Sequence, residues 1–297
     1  MISNILIELQ NFKDQYVSSP QHIIFTKTNF NAYDIFGDLM YINDSSQKYI
    51  NSLQTIYEAR IDDVLLRTSL PNSSSQQKFS KYVLFFIAFL KLNKFLQVQN
   101  NSIIDISYIP DPSLGNKTIR DPNNPLGQED VNSGVCWGNN VLVYRKEEAP
   151  KVLLHEMIHL FKLDMGVKTP PYIQKQYFIE SPVPIRFTET YTELLAAILF
   201  TYYRSKKTNI HKIFDRFQNQ ADKVMCIYWN AQQKKFVQNT HVFEYIVAKA
   251  ALCEYFRHDP KALINLLMES KEIFSDTLAK ALDKYISSYT CSLSSVS

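Results

Sequence analysis

The chain has 297 residues, of which 45% are hydrophobic, including 19 phenylalanines and 18 tyrosines. A chain of this length and composition can bury a large core, as one domain or as two joined lobes, and is not intrinsically disordered. The formal net charge is only +3 and no long basic run is present, so there is no electrostatic case for binding nucleic acid.

The sequence indicates neither a signal peptide nor a membrane span. The first residues mix apolar and polar side chains, and the longest apolar run, residues 82–90, is much shorter than the roughly 20 residues of a spanning helix. The cysteines, Cys136, Cys226, Cys253 and Cys291, form no C-x-x-C pair, which predicts reduced thiols. We therefore expect a cytoplasmic protein without a membrane partner.

The first hundred residues predict a helical region without chemistry. Apolar residues recur at helical spacing over residues 2–18, 47–67 and 77–96, which predicts three helices. We predict residues 1–100 as a helical N-terminal region and residues 101–297 as a catalytic region with a C-terminal helical lobe. Both can belong to one continuous domain.

Two strands are predicted next, over residues 103–109 and 141–144, where β-branched and aromatic residues are frequent. If the second strand has a free edge, that edge can run beside the site and offer backbone groups to an extended peptide. If it is an interior strand, it makes no substrate contact. The sequence leaves both possibilities open.

A helix in Lys151–Gly166 carries His155, Glu156 and His159 in an H-E-x-x-H spacing. Residues four apart lie on one helix face, so both imidazoles can point at one ion, with the Glu156 carboxylate one step round the helix. This is the arrangement of a hydrolytic zinc site, in which the carboxylate takes a proton from a metal-bound water. Most other positions are apolar, which predicts a buried helix.

The ends of this helix are also indicated by sequence. Glu147, Glu148 and Pro150 suit a first turn, where acidic groups meet the positive end of the helix dipole and proline loses no needed hydrogen bond. Gly166 suits the end of the helix.

A catalytic zinc usually takes a third protein ligand. The apolar stripe of residues 187–204 predicts a buried helix that carries Glu189 and Glu193 on one face. Ala196 and Ala197 are small enough to let this helix approach the H-E-x-x-H helix closely. Glu189 and Glu193 are therefore the best candidates for the third ligand.

HEMIH followed by TETYTELLA resembles the gluzincin group of zinc metallopeptidases, such as thermolysin-like enzymes and zinc aminopeptidases. The resemblance covers residues 139–204. It implies an α+β fold with a zincin-like core, made of a small sheet, the H-E-x-x-H helix and a Glu-bearing helix, with mainly helical N- and C-terminal regions. The stretch before HEMIH also resembles uncharacterised metallopeptidases of large DNA viruses, whereas the metzincin signature is absent.

The resemblance also implies a ligand set. Zinc would be held by His155, His159 and Glu189, and Glu193 would be an outer acid that holds an imidazole N–H of one ligand. Thermolysin-like sequences carry Asp where this chain has Glu193, so an exchange of roles between Glu189 and Glu193 stays open.

The expected activity is hydrolysis of peptide bonds in a peptide or protein substrate by a zinc-bound water that Glu156 deprotonates. His241 and Tyr245, on a predicted helix over residues 239–256, are candidate donors to the oxyanion, although packing or surface roles also fit them.

Two alternatives to a metallopeptidase are a metal-dependent amidase or deacylase with a non-protein substrate, and a non-catalytic protein braced by zinc. The presence of Glu156 argues against the second. The oligomeric state is not predicted.

Overall fold

The computed structural model describes residues 9, 11–16, 22–36, 42–92, 103–114, 125–177, 179–204, 210–230, 235–268 and 270–289. These residues form helices together with a six-stranded and a three-stranded sheet, which confirms the predicted α+β class. The chain divides into two compact units. The sheet unit comprises Glu8–Thr118 and Asn132–Leu163, and the helical unit comprises Met1–Ile7, Ile119–Val131 and Asp164–Ser297.

The sheet unit is built on the six-stranded sheet. Its strands are β1 (Thr26–Asn29), β2 (Thr55–Ile61), β3 (Val64–Thr68), β4 (Ile104–Tyr108), β5 (Gly134–Trp137) and β6 (Asn140–Val143). They are arranged in the order β1-β2-β3-β4-β6-β5. β4 pairs in parallel with β3 and β6, and the other pairings are antiparallel.

The same unit contains helices that precede, connect or follow these strands. They are α1 (Ala32–Phe36), α2 (Asp44–Ser52), α3 (Ser73–Leu92) and α4 (Ala149–Leu160), and residues 11–16 are also helical. α3 is the crossover between the parallel strands β3 and β4, and its Phe85, Phe86 and Phe89 are buried. The predicted helix over residues 77–96 is thus confirmed over its described part. Most of the predicted helix 2–18 lies outside the described residues.

The prediction of one helix over residues 47–67 is wrong. Helix α2 ends at Ser52, and β2 and β3 then form a hairpin in which Ile61 lies opposite Val64. Asp62 in the turn has a φ of 52°, a left-handed conformation that Asp tolerates better than most residues. The apolar positions of this stretch fit both the helical repeat and the strand repeat. The stretch forms strands because it pairs with β1 and β4, which are distant in sequence.

The two predicted strands are confirmed as β4 and β6. β6 lies between β4 and β5, so the interior alternative is correct and the free-edge alternative is wrong for this strand. The position at this edge of the sheet belongs to β5, which the sequence did not predict as a strand.

Helix α4 ends at Leu160 and not at Gly166, so the predicted end is wrong. Lys162 takes a left-handed φ of 56°. Its N–H donates to the carbonyl of His159 at 2.9 Å, and the N–H of Leu163 donates to the carbonyl of Ile158 at 3.0 Å. These two bonds form a Schellman motif, which satisfies the last carbonyls of the helix with lysine where glycine is usual. His159 is therefore in the last turn of α4.

The helical unit contains a three-stranded sheet, in the order β7-β9-β8, and a set of longer helices. The strands are β7 (Ile179–Glu180), β8 (Trp229–Asn230) and β9 (Lys235–Val237). The helices are α5 (Phe187–Arg204), α6 (Ile210–Tyr228), α7 (Lys249–Tyr255), α8 (Pro260–Met268) and α9 (Lys271–Ser288), with short helices at Gln128–Val131 and Ile173–Gln176 and a π-helix at Phe243–Ala248.

The predicted helix over residues 187–204 is confirmed at both ends by α5. The predicted helix over residues 239–256 is confirmed in outline, but its first half is the π-helix at Phe243–Ala248 and only its second half is the α-helix α7. No helix among the described residues has the length and apolar character needed to cross a membrane.

The expectation of four reduced cysteines needs a correction. Cys136 and Cys253 are reduced, but Cys226 is disulfide-bonded. Because disulfides form mainly in oxidising compartments, the thiol argument for a cytoplasmic location does not hold for Cys226.

Candidate metal centre

His155 and His159 converge at the C-terminal half of α4. Their Nε2 atoms are 3.2 Å apart, and their ring planes meet at 72°. Two nitrogens bound tetrahedrally at 2.0–2.1 Å from one zinc ion would be about 3.3–3.4 Å apart. The same distance also suits a hydrogen bond between one protonated and one unprotonated ring. The rings therefore already have the separation that a shared ion requires.

Helix α4 is held firmly in the sheet unit. It packs on β5 and β6 and on α3, and the hydroxyl of Tyr82 in α3 donates to the carbonyl of Pro150 in its first turn. Nearly every side chain from Ala149 to Ile158 is buried. A site built on such a helix is positioned more precisely than a site on a loop.

Glu156 is 8% exposed and lies against the sheet. A Cβ atom built on Gly134 of β5 would be 3.1 Å from both the Cγ and the Oε1 atoms of Glu156. The carboxylate thus lies directly over the backbone of the strand at this edge of the sheet. The sequence reasoning missed Gly134, because nothing local marks this glycine as a packing contact.

Tyr144, directly after β6, is a second residue that the sequence reasoning missed. Its side chain is fully buried, and its hydroxyl has no hydrogen-bond partner among the described residues. Burial raises the pKa of this hydroxyl far above its usual value, and the charge of Glu156 raises it further, while Arg145 lowers it. The Tyr144 hydroxyl therefore stays protonated at any physiological pH, and the negative charge of Glu156 favours this protonated form.

Glu189 lies in the first turn of α5 and is buried. The start of this helix is held in three places. The N–H of Glu189 donates to the carbonyl of Arg186 at 3.1 Å, that of Phe187 to Thr169 Oγ1 at 2.8 Å, and that of Arg186 to Glu244 Oε1 at 2.9 Å. Acidic groups are favoured at this end of a helix by its dipole. These three hydrogen bonds fix the first turn of α5 and therefore the backbone position of Glu189.

His241 takes part in holding this helix start. Its Nδ1 is 2.9 Å from Oε1 of Glu244, a fully buried carboxylate that also accepts a bond of 3.3 Å from Gln238 Nε2. Tyr245 is half-buried in the π-helix, with its ring 6.2 Å from that of His241. The role of either residue as an oxyanion donor stays a prediction.

Glu193 is buried and forms an ion pair that the sequence did not predict. Lys249 Nζ donates to its Oε1 at 3.0 Å, and the same ammonium lies 4.0 Å from the centre of the Phe217 ring. Lysine and glutamate are 56 positions apart, so no local pattern connects them. The predicted bond from Glu193 to an imidazole stays a prediction.

Replacing Lys249 with alanine should lower the free energy of unfolding by about 3–5 kcal/mol, because Glu193 loses a buried cationic partner. Chemical denaturation of the wild type and the variant measures this. Lys261→Ala is the control, since Lys261 is exposed and its loss should change stability by no more than about 0.5 kcal/mol. Equal stabilities of the two variants would contradict a structural role for the buried pair.

Among the described residues, one group of potential metal ligands is found: His155, His159 and Glu189, whose ligand atoms all lie within 4.8 Å of one another. Glu193 is not in this group. Two imidazole nitrogens and one carboxylate oxygen form the ligand set of many catalytic zinc sites, which leave a fourth position open. The donor chemistry of the three residues therefore fits zinc.

Comparison with known proteins adds no assignment: no family model, curated protein or solved structure matches this chain.

Proposed function

We propose that this protein is a zinc metallopeptidase of the gluzincin type, with a zincin-like core. The observation that carries the proposal is the group formed by His155, His159 and Glu189. Two imidazole nitrogens and one carboxylate oxygen lie within 4.8 Å of one another, on two buried residues and one half-buried residue, and this is a ligand set that one divalent cation can share.

Zinc in such a site supplies Lewis acidity, lowering the pKa of a water molecule from 15.7 to about 7. Glu156 follows His155 directly and acts as the base that takes the proton from the attacking water. The same carboxylate then donates that proton to the leaving amine. His241 and Tyr245 are the candidate donors to the oxyanion that forms at the attacked carbonyl.

The edge of the sheet favours a peptide over a non-protein substrate. β5 lies at the edge and packs on α4, with Gly134 directly below the Glu156 carboxylate. An extended peptide that pairs with an edge strand obtains its affinity from main-chain hydrogen bonds. Pairing with β5 would bring a peptide carbonyl close to Glu156.

Removing the metal tests the proposal. The purified protein should contain about one zinc per chain and should cleave members of a fluorescence-quenched peptide library. A strong chelator should abolish the cleavage, and added zinc should restore it. A chain that binds no zinc, or a cleavage rate that is indifferent to the chelator, would contradict the proposal. Zinc binding without cleavage of any peptide, but with release of acyl groups from small amides, would favour the amidase alternative.

A further inference from the structure

We infer that Gly134 is a positioning residue for Glu156: its missing side chain is what allows the catalytic carboxylate to lie close against strand β5. The inference rests on the proposed function and adds to it a residue that determines the position of the Glu156 carboxylate, the proposed proton acceptor.

The first support is the closeness of the contact. A Cβ on Gly134 would be 2.9 Å from Val152 Cγ1, besides its two contacts of 3.1 Å with Glu156. Carbon atoms in non-bonded contact prefer about 3.5–4.0 Å. A side chain at position 134 therefore has to displace its neighbours on α4.

The second support is that α4 and Val152 have little freedom to move. Val152 is buried and β-branched, so its side chain has few alternative rotamers. The helix itself is anchored by the bond from the Tyr82 hydroxyl to the Pro150 carbonyl. The long side chain of Glu156 is the most adaptable part of this contact, so Glu156 is the group that would give way.

The third support comes from the other glycines. The chain has only six in 297 residues. Among those described, Gly138 and Gly166 have positive φ angles, and a Cβ on Gly127 would meet nothing within 4 Å. Gly134 has neither a positive φ nor open space around it. Its close contact with α4 accounts for the absence of a side chain.

The test compares Gly134→Ala with Gly127→Ala as the matched control, both in the full-length zinc-loaded protein. Gly134→Ala should keep its zinc affinity and its KM, because the metal ligands and the edge hydrogen bonds of β5 are untouched. Its kcat should fall by about 10-fold, because the Glu156 carboxylate has to move by a few tenths of an ångström, less than the shift of about 1 Å that costs about 10²-fold. Gly127→Ala should leave kcat unchanged. An unchanged kcat in Gly134→Ala would overturn the inference.

A double variant separates positioning from packing. Adding Val152→Ala to Gly134→Ala removes the shortest contact but leaves both contacts with Glu156. The stability lost through the contact with Val152 should then recover in part, while kcat should stay low. Recovery of kcat in the double variant would assign the effect to packing on Val152 and overturn the inference.

A crystal structure of Gly134→Ala decides the point without reference to activity. The Glu156 carboxylate should be displaced from its wild-type position while His155 and His159 keep theirs. An undisplaced carboxylate overturns the inference even in an active enzyme. If the wild type cleaves no peptide, the proposed function fails, and a displaced carboxylate still supports the positioning role of Gly134.

Discussion

Glu156→Gln should lower the turnover of a peptide substrate by about 10²- to 10⁴-fold, the usual contribution of a general base. The amide has the size of the carboxylate, so it keeps the contact with Gly134 at nearly unchanged geometry. It cannot accept a proton from water at neutral pH. Because His155 and His159 are unchanged, the variant should keep its zinc. Turnover and zinc content are measured on the same preparation.

The control for this prediction is Glu147→Gln, the same chemical change two residues before α4 begins. It should leave turnover unchanged. Two results would count against the assigned role of Glu156. Full turnover in Glu156→Gln would remove it as the base, and loss of zinc together with turnover would make it part of the metal site.

Glu189→Gln should weaken zinc binding by more than about 100-fold, whereas Glu193→Gln should weaken it by about 10- to 100-fold, the usual cost of changing a residue that supports a ligand. Glu189 belongs to the group with His155 and His159, so its replacement removes a charged ligand. Glu193 faces Lys249, and glutamine can still accept a hydrogen bond from that ammonium. Competition with a chromogenic chelator measures both affinities.

Unfolding of the zinc-free proteins serves as the control for the two glutamate variants. It shows whether a variant loses zinc only because the fold is weakened, which is a particular concern at Glu193 with its buried ion pair. The opposite order of affinities, with Glu193→Gln the more damaging, would exchange the roles of the two residues. Equal and small losses would mean that zinc takes its third ligand elsewhere.

The chemistry-bearing helices could be predicted from the sequence because their signals are local. The spacing of His155, Glu156 and His159 depends only on the helical repeat, and α5 has the predicted ends, Phe187 and Arg204. The strands β4 and β6 were also predicted, since their β-branched residues stand between turn signals. Alternation and helical spacing are properties of neighbouring residues, so one sequence suffices to recognise them.

Elsewhere contacts between distant residues decided the structure. Residues 55–68 became strands because β1 and β4 pair with them, although their apolar spacing also fitted a helix. The end of α4 before Gly166 is a different case, because it is formed locally by Lys162, which takes a left-handed conformation in spite of its side chain.

The sequence by itself determined the type of site: two imidazoles and a neighbouring carboxylate on one buried helix, with two more carboxylates on a second helix. Only the tertiary structure grouped Glu189 rather than Glu193 with the histidines, paired Glu193 with Lys249, and laid Glu156 over Gly134. The physical reason is that helical periodicity reaches only three or four residues, whereas each of these contacts joins residues more than twenty positions apart.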